Sequence, residues 1–193
     1  MRQDIVLQEI CMSFGDLTVL HNLNVTIPQG EITCIMGPSG VGKTTLLHIL
    51  LGLIKPDRGS IQGIDKKTMA AVFQENRLCE HFDAIENVKL ALTEKLDIVR
   101  IQQEFSKVQL TEYENKPVQK LSGGMKRRVA IVRAVLANAD IMILDEPMKG
   151  LDFDLKAKVL RYLKEATEGK TVIMVTHDVN EVSILGANVI EIH

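Results

Sequence analysis

The run Gly37-Pro38-Ser39-Gly40-Val41-Gly42-Lys43-Thr44 constrains the fold of this chain more than any other feature. It fits the pattern G-x-x-x-x-G-K-[ST] without a mismatch. The apolar stretch from Glu31 to Met36 precedes it and reads as a buried strand. A helix is expected after it, from Lys43 to Leu53. A strand, a glycine loop and a helix in that order make a phosphate cradle. The glycines let successive backbone N–H groups curl around an anion, and the helix N-terminus adds its dipole. Lys43 is expected to reach the outer phosphates of a nucleotide, and the Thr44 hydroxyl to hold Mg²⁺.

The rest of the chain supplies elements to pack around that unit. Ile5 to Ile10 and Leu23 to Ile27 read as strands, the second with strict apolar–polar alternation. Pro28-Gln29-Gly30 is a turn. Lys55 to Gly59 breaks the first helix and opens a hairpin expected to run from Ser60 to Phe73. From Glu75 to Lys120 the chain is richer in Glu, Lys and Gln and reads as a small helical insertion, broken near Lys116-Pro117. A helix from Ser122 to Ala137 carries Val129, Val132 and Leu136 on one face. Ile141 to Leu144 is an apolar strand, and Asp152 can cap a helix that buries Leu155, Val159 and Leu163. Thr171 to Val175, a short helix and Asn188 to Ile192 close the chain. Apolar strands alternating with helices imply an α/β fold with a parallel sheet covered on both faces.

Composition removes several alternatives. A length of 193 residues suits one domain with a small insertion. The net charge of −2 gives no bulk attraction for nucleic acid. Cys11, Cys34 and Cys79 are widely spaced and form no C-x-x-C pair, which argues for free thiols rather than a disulfide framework or a zinc site. The most apolar run, Leu46 to Ile54, is about half the roughly 20 residues a spanning helix needs. Met1-Arg2-Gln3-Asp4 leads into an alternating strand rather than an apolar export signal. Any membrane channel must therefore come from another polypeptide.

Other residues carry chemistry only in combination. Ile141 to Leu144 ends in Asp145 and Glu146, at the carboxyl end of a strand where ligands of open α/β sheets bind. Asp145 is expected beside the Mg²⁺ held by Thr44, with Glu146 facing the other way, placed to polarise a water. Ser122-Gly123-Gly124 opens a helix and can offer bare N–H groups to an anion. Gln74 follows the apolar Ala71-Val72-Phe73, and His177 follows the strand ending at Thr176, at the same sheet edge as Asp145. Phe14, in a Ser13-Phe14-Gly15 turn, could stack on a base. Taken singly, each has a plainer explanation: a surface Gln, a turn His, a core aromatic.

Their order is more specific. An aromatic turn, phosphate loop, Gln, Leu121-Ser122-Gly123-Gly124-Met125, a hydrophobic strand ending Asp145-Glu146, Gly150-Leu151-Asp152 and His177 together resemble an ABC-type ATPase over essentially the whole chain. The resemblance implies a P-loop NTPase core with a mostly parallel sheet, an antiparallel β part near the N-terminus and a helical subdomain. Residues 1–74 and 121–193 would form the catalytic core, and about 75–120 the subdomain. It implies ATP and Mg²⁺ as ligands. Gly37, Pro38, Ser39, Gly40, Val41, Gly42, Lys43, Thr44 and Thr45 would bind the phosphates, and Phe14 the base. Asp145, Thr44 and Gln74 would serve the metal site. Glu146 would be the general base, and His177 a switch at the γ-phosphate.

The family packs two such subunits head to tail. The resemblance therefore implies that Ser122, Gly123, Gly124 and Asp152 act on the nucleotide of a second copy, or of a related ATPase subunit. It further implies transmembrane permease partners, an extracytoplasmic solute-binding protein, no nucleic acid, and a place on the cytoplasmic face of the membrane. Three departures stand out: Met125 where Gln is commonest, Phe14 where Tyr is usual, and a short chain expected to lack a regulatory extension. The segments around Phe73-Gln74, the Ser122 helix and Asp145 to Asp152 look most like importer ATPases of the nitrate, sulfonate and taurine type. A soluble ABC ATPase of the iron–sulfur assembly type would share the same site. A chromosome-maintenance ATPase would need a long coiled coil between Lys43 and Leu121, and that stretch has no sustained heptads.

Overall fold

A computed structural model describes residues 3–92 and 96–193. The N-terminal reading at Met1-Arg2 and part of the expected insertion, 93–95, lie outside the described residues.

Two sheets share one core. The strands β1 (Ile5–Phe14), β2 (Leu17–Ile27) and β4 (Arg58–Gln62) form an antiparallel sheet in the order β2-β1-β4. The strands β3 (Ile32–Met36), β5 (Met69–Val72), β6 (Ile141–Asp145), β7 (Thr171–Val175) and β8 (Asn188–Glu191) form a parallel sheet in the order β5-β6-β7-β3-β8. The parallel strands are apolar on both faces because both are covered. Ile35, Ile141, Ile143, Ile173 and Val175 point to the side holding the antiparallel sheet and α1 (Lys43–Leu50). Cys34, Met142, Leu144, Val172 and Met174 point to the helical side. That side is built by α4 (Gly123–Leu136), α5 (Phe153–Ala166) and α6 (Val179–Leu185). Each fully buried Ile or Leu of these layers contributes about 1.5–3 kcal/mol relative to exposure.

The hairpin expected between Ser60 and Phe73 does not form. β4 joins β1, pairing Leu7 with Ile61, while β5 pairs in parallel with β6, Ala70 opposite Met142. The reason is patterning. β4 is largely exposed, whereas Met69-Ala70-Ala71-Val72 is apolar on both faces and belongs in the covered sheet. The first two strands are longer than the alternation suggested, because β1 is interrupted by a bulge near Gln8-Glu9, where two successive residues face solvent. The phosphate-loop helix ends at Leu50 rather than Leu53. Gly52 N donates to Ile49 O and Leu53 N to His48 O, at 3.0 and 2.9 Å, closing a Schellman turn.

Between Glu75 and Lys120 lie α2 (Ala84–Lys89), α3 (Ile98–Lys107) and a 3₁₀ turn (Val118–Lys120). Asp83 and Glu86 form a reciprocal capping box that starts α2. Val88, Ile101, Phe105, Leu110 and Val118 are fully buried there, against the same helical-side core that α4 enters.

Candidate functional site

The carboxyl ends of β3, β5, β6 and β7 meet at one edge of the parallel sheet, and the candidate residues issue from them. β3 ends at Met36, and the loop 37–42 leads into α1. Two glycines of that loop are dictated by geometry. Gly42 adopts φ 99°, and a Cβ there would lie 2.7 Å from Leu20 Cδ2. Gly37 adopts φ 149°, and its Cβ would lie 2.3 Å from the Ile192 carbonyl oxygen. Lys43 is buried to 6% exposure, and its Nζ donates to the Gly37 and Pro38 carbonyls at 2.8 and 2.7 Å. The ammonium is thus folded back over the loop it belongs to.

Thr44 Oγ1 donates to Asp145 Oδ2 at 2.9 Å, joining the start of α1 to the end of β6. Asp145 is 4% exposed, and its Oδ1 is buried without a hydrogen-bond partner. Burial pushes this carboxyl up; the Thr44 hydrogen bond opposes that, and the Glu146 charge adds to it. A hydroxyl beside an unsatisfied buried carboxylate oxygen is a hard oxygen donor pair. It fits Mg²⁺, which takes one or two carboxylates and completes its shell with water and phosphate oxygens.

Glu146 sits in the left-handed region at φ 46°, unusual for a residue with a side chain, at a cost of order 1–2 kcal/mol. Its N–H is tied to Val175 O at 3.1 Å, which helps fix the turn. The carboxylate meets a set of three partners. Gln74 Nε2 donates to Oε2 at 3.2 Å, Lys149 Nζ to Oε2 at 2.9 Å, and His177 Nε2 lies 3.0 Å from Oε1. Burial pushes the Glu146 carboxyl up. The Lys149 hydrogen bond and charge, the Gln74 hydrogen bond and the His177 charge outweigh it and hold the group below its ordinary value.

Glu146, Gln74 and His177 line a cleft of about 370 Å³ together with Ser39, Lys43, Thr44 and Phe14, whereas Lys149 lines only the depression beside it. Phe14 is the last residue of β1 and is 52% exposed. Its ring is free to take a planar partner. A neighbouring depression of about 760 Å³ shares Ser39, Glu146 and His177 with the cleft and continues over Gly150-Leu151 to Lys156.

Ser122, Gly123, Gly124 and Asp152 do not line the cleft. Ser122 caps α4, accepting from Met125 N at 3.3 Å. Gly123 has open space where a Cβ would point, and a Cβ on Gly124 would lie 3.3 Å from Gly150 O. Asp152 caps α5, its Oδ1 accepting from Leu155 N at 3.0 Å. Met125 packs against the helical core, so the departure there exchanges an amide for apolar contact.

Three site neighbours were not singled out from sequence. Lys149 is the ion-pair partner of Glu146 three residues on. Lys156 bonds Asp178 Oδ2 and Glu181 Oε1, both at 2.9 Å, tying α5 to the turn after His177. Arg127 grips the backbone around Gln74. A lysine three residues from a candidate base was visible as a spacing; the other two depend on tertiary approach.

Comparison with known proteins places this geometry. The family profile described as "ABC transporter" matches residues 20–149. The chain is 35% identical over 209 residues to the spermidine/putrescine import ATP-binding protein PotA of Protochlamydia amoebophila, covering 100% of this chain and 56% of that protein. It is 33% identical over 191 residues to the Fe(3+) ions import ATP-binding protein FbpC of Escherichia coli, covering 91% and 55%. The chain spans about half the length of the curated relatives it matches. Among solved structures, the dimeric structure of MJ0796, described as a bacterial ABC transporter cassette, superposes with a TM-score of 0.85 at 31% identity, over 97% of this chain and 94% of that one. A post-hydrolysis state of the same cassette, bound to ADP and Pi, superposes with a TM-score of 0.84 at 30% identity.

Proposed function

We propose a function for this chain from the fact that it belongs to the ABC transporter family: it binds ATP in the cleft at the end of the parallel sheet, hydrolyses it, and so drives solute import through separate membrane subunits. The observation that supports this best is the grouping around Glu146, whose carboxylate meets Gln74, Lys149 and His177 beside the Lys43 loop.

The chemistry follows from the positions. The ATP phosphates lie on the backbone N–H groups of 37–42, Lys43 Nζ turns from its own loop to the outer phosphates, and Phe14 stacks on the base. Thr44 and Asp145, with Gln74 alongside, hold Mg²⁺, which neutralises phosphate charge when bound. Glu146 accepts a proton from the water whose oxygen attacks the γ-phosphorus. The bond from that phosphorus to the β–γ bridging oxygen breaks, and ADP and phosphate leave. His177 orients the carboxylate and approaches the γ-phosphate. Stabilising the spread charge is the main task in phosphoryl transfer, and Lys43 and the loop supply most of it from this chain.

Ser122, Gly123, Gly124 and Asp152 do not line the cleft of their own chain. A second copy, or a related ATPase, completes the site by presenting its own Ser122, Gly123, Gly124 and Asp152 to the γ-phosphate. The 760 Å³ depression beside Glu146 is where that partner docks. The MJ0796 cassette of the same fold is described as dimeric. Hydrolysis removes the shared anion and weakens the dimer, a population shift driven by differential contacts. Residues 1–74 and 121–193 act as the catalytic core and about 75–120 as the helical arm that meets the permease. Among the described residues no helix is long and apolar enough to cross a membrane. In this reading the permease supplies the path, an extracytoplasmic solute-binding protein delivers the solute, and this chain works peripherally on the cytoplasmic face. Relatives named for polyamine and for ferric iron import match almost equally, at 35% and 33% identity, as expected of a motor that never touches its cargo. Those names do not favour the nitrate and sulfonate branch over the others.

The test is a pull-down from detergent-solubilised membranes with tagged Glu146→Gln protein and Mg·ATP. Recovery of a polytopic membrane protein supports the transporter reading. Recovery of soluble proteins alone moves the chain to an assembly complex and leaves the ATPase site unchanged.

A further inference from the structure

Five residues beyond the Ser122 cap, Arg127 is buried to 5% exposure. Its guanidinium forks onto two consecutive carbonyls, Nη1 donating to Phe73 O and Nη2 to Gln74 O. Six residues further along α4, Arg133 does the same for Asn76 and Arg77, with Nη1 to Arg77 O at 2.8 Å and Nη2 to Asn76 O at 3.2 Å. Lys126 Nζ meets both oxygens of Glu80 at 3.0 Å. The segment Phe73–Arg77 lies outside any helix or strand, so its carbonyls take their partners from α4. Within it, the Arg77 guanidinium covers the Phe73 ring at 3.6 Å. Four carbonyls of a segment that emerges from β5 are thus held by side chains of α4.

Gln74 carries the consequence into the site, since its Nε2 reaches Glu146 Oε2 at 3.2 Å. We infer that Arg127 is the positioning residue that holds the Gln74 amide on Glu146 and makes that hold depend on where the Ser122 end of α4 lies. The inference rests on the ATPase reading above. Arg suits the task because its planar fork grips two carbonyls at once, whereas a lysine ammonium is a single flexible point charge. A displacement of α4 by about 1 Å is enough to matter, because misplacing a reacting group by that much costs on the order of 10²-fold in rate. When a partner nucleotide draws on Ser122-Gly123-Gly124, the movement arrives at Glu146 through Arg127 and Gln74.

The 193-residue chain decides this with four variants: Arg127→Met, Arg127→Lys, Gln74→Ala and the double variant Arg127→Met/Gln74→Ala. The KM for ATP is expected to stay within about twofold in Arg127→Met while kcat falls about tenfold, the pattern of a lost transition-state arrangement. The double variant is expected to be no slower than Gln74→Ala alone, because Arg127 acts through Gln74. Arg127→Lys should fall between wild type and Arg127→Met, and it carries the test if the methionine variant fails to fold. Backbone hydrogen exchange in the nucleotide-free protein gives a readout independent of hydrolysis: exchange at 73–77 should rise in Arg127→Met, with α1 and β6 unchanged. Losses that multiply in the double variant, or unchanged exchange at 73–77, overturn the inference. A wild-type chain that hydrolyses no ATP overturns the ATPase reading instead, and the exchange data still decide whether Arg127 holds the segment.

Discussion

Glu146 Oε1 and His177 Nε2 stand 3.0 Å apart across the ends of two neighbouring strands, although 31 residues separate them in the chain. The pairing needs both local backbones to cooperate. Glu146 accepts a left-handed conformation at φ 46°, and Thr176 is anchored to the sheet through its N–H to Ile35 O at 3.3 Å. The result is a carboxylate held below its ordinary value and oriented where the cleft and the neighbouring depression meet.

Lys43→Ala should weaken ATP binding at least tenfold. The substitution removes charge-assisted hydrogen bonds worth about 1.5–3 kcal/mol, and each 1.4 kcal/mol is a factor of about ten. Titration with a fluorescent ATP analogue reads the change directly. Affinity equal to wild type would show that Lys43 remains on the Gly37 and Pro38 carbonyls when nucleotide binds.

Ser122→Ala separates local from intermolecular roles. As a helix cap, Ser122 holds only Met125 N at 3.3 Å, and losing a cap costs about 1 kcal/mol. A small drop in melting temperature is therefore expected. If Ser122 also serves the nucleotide of a second copy, ATP-dependent dimerisation should be lost far out of proportion to that drop. Sedimentation of Glu146→Gln with and without Ser122→Ala, in Mg·ATP, makes the comparison. Equal dimerisation would confine Ser122 to capping.

Lys156 should shape the pH dependence of stability. Its hydrogen bond holds Asp178 below the ordinary value of 3.8, and its own value is raised above 10.5, chiefly by the Asp178 and Glu181 hydrogen bonds. The depressed Asp178 contributes stability that is fully present above about pH 3.8 and lost as pH falls through its lower folded value. The raised Lys156 contributes stability that is present below 10.5 and lost as pH rises through its higher folded value. Lys156→Met also leaves the buried Glu181 with only the Thr176 hydroxyl, at a cost of about 1–3 kcal/mol near neutral pH. Thermal melts of both proteins from pH 3 to 8 should show a gap that is constant above pH 5 and narrows below 4. A gap independent of pH at the acid end would mean that the ion pair contributes nothing.

Much of this was legible in the chain itself. The Gly37 to Thr44 run placed the loop because its glycines have no substitute: a Cβ at Gly37 would collide with the Ile192 carbonyl. The strands β6 and β7 were readable because a covered parallel strand is apolar at every position. The pairing of β4 and β5 was not readable, since both are short and lie near each other in sequence, and only the burial of Ala70 and Val72 separates them. Arg127 was invisible for another reason. A basic residue on the Ser122 helix looks like a solvated face until Phe73 and Gln74 are brought against it by an approach across 53 residues of chain.

Glu146→Gln tests the central claim most directly. ATP binding and ATP hydrolysis are measured side by side on purified wild-type and variant protein in Mg·ATP. The account predicts unchanged binding and hydrolysis slowed by about 10²-fold or more, because the amide cannot take the proton of the attacking water. Hydrolysis at the wild-type rate in Glu146→Gln would contradict it and remove Glu146 from the chemistry.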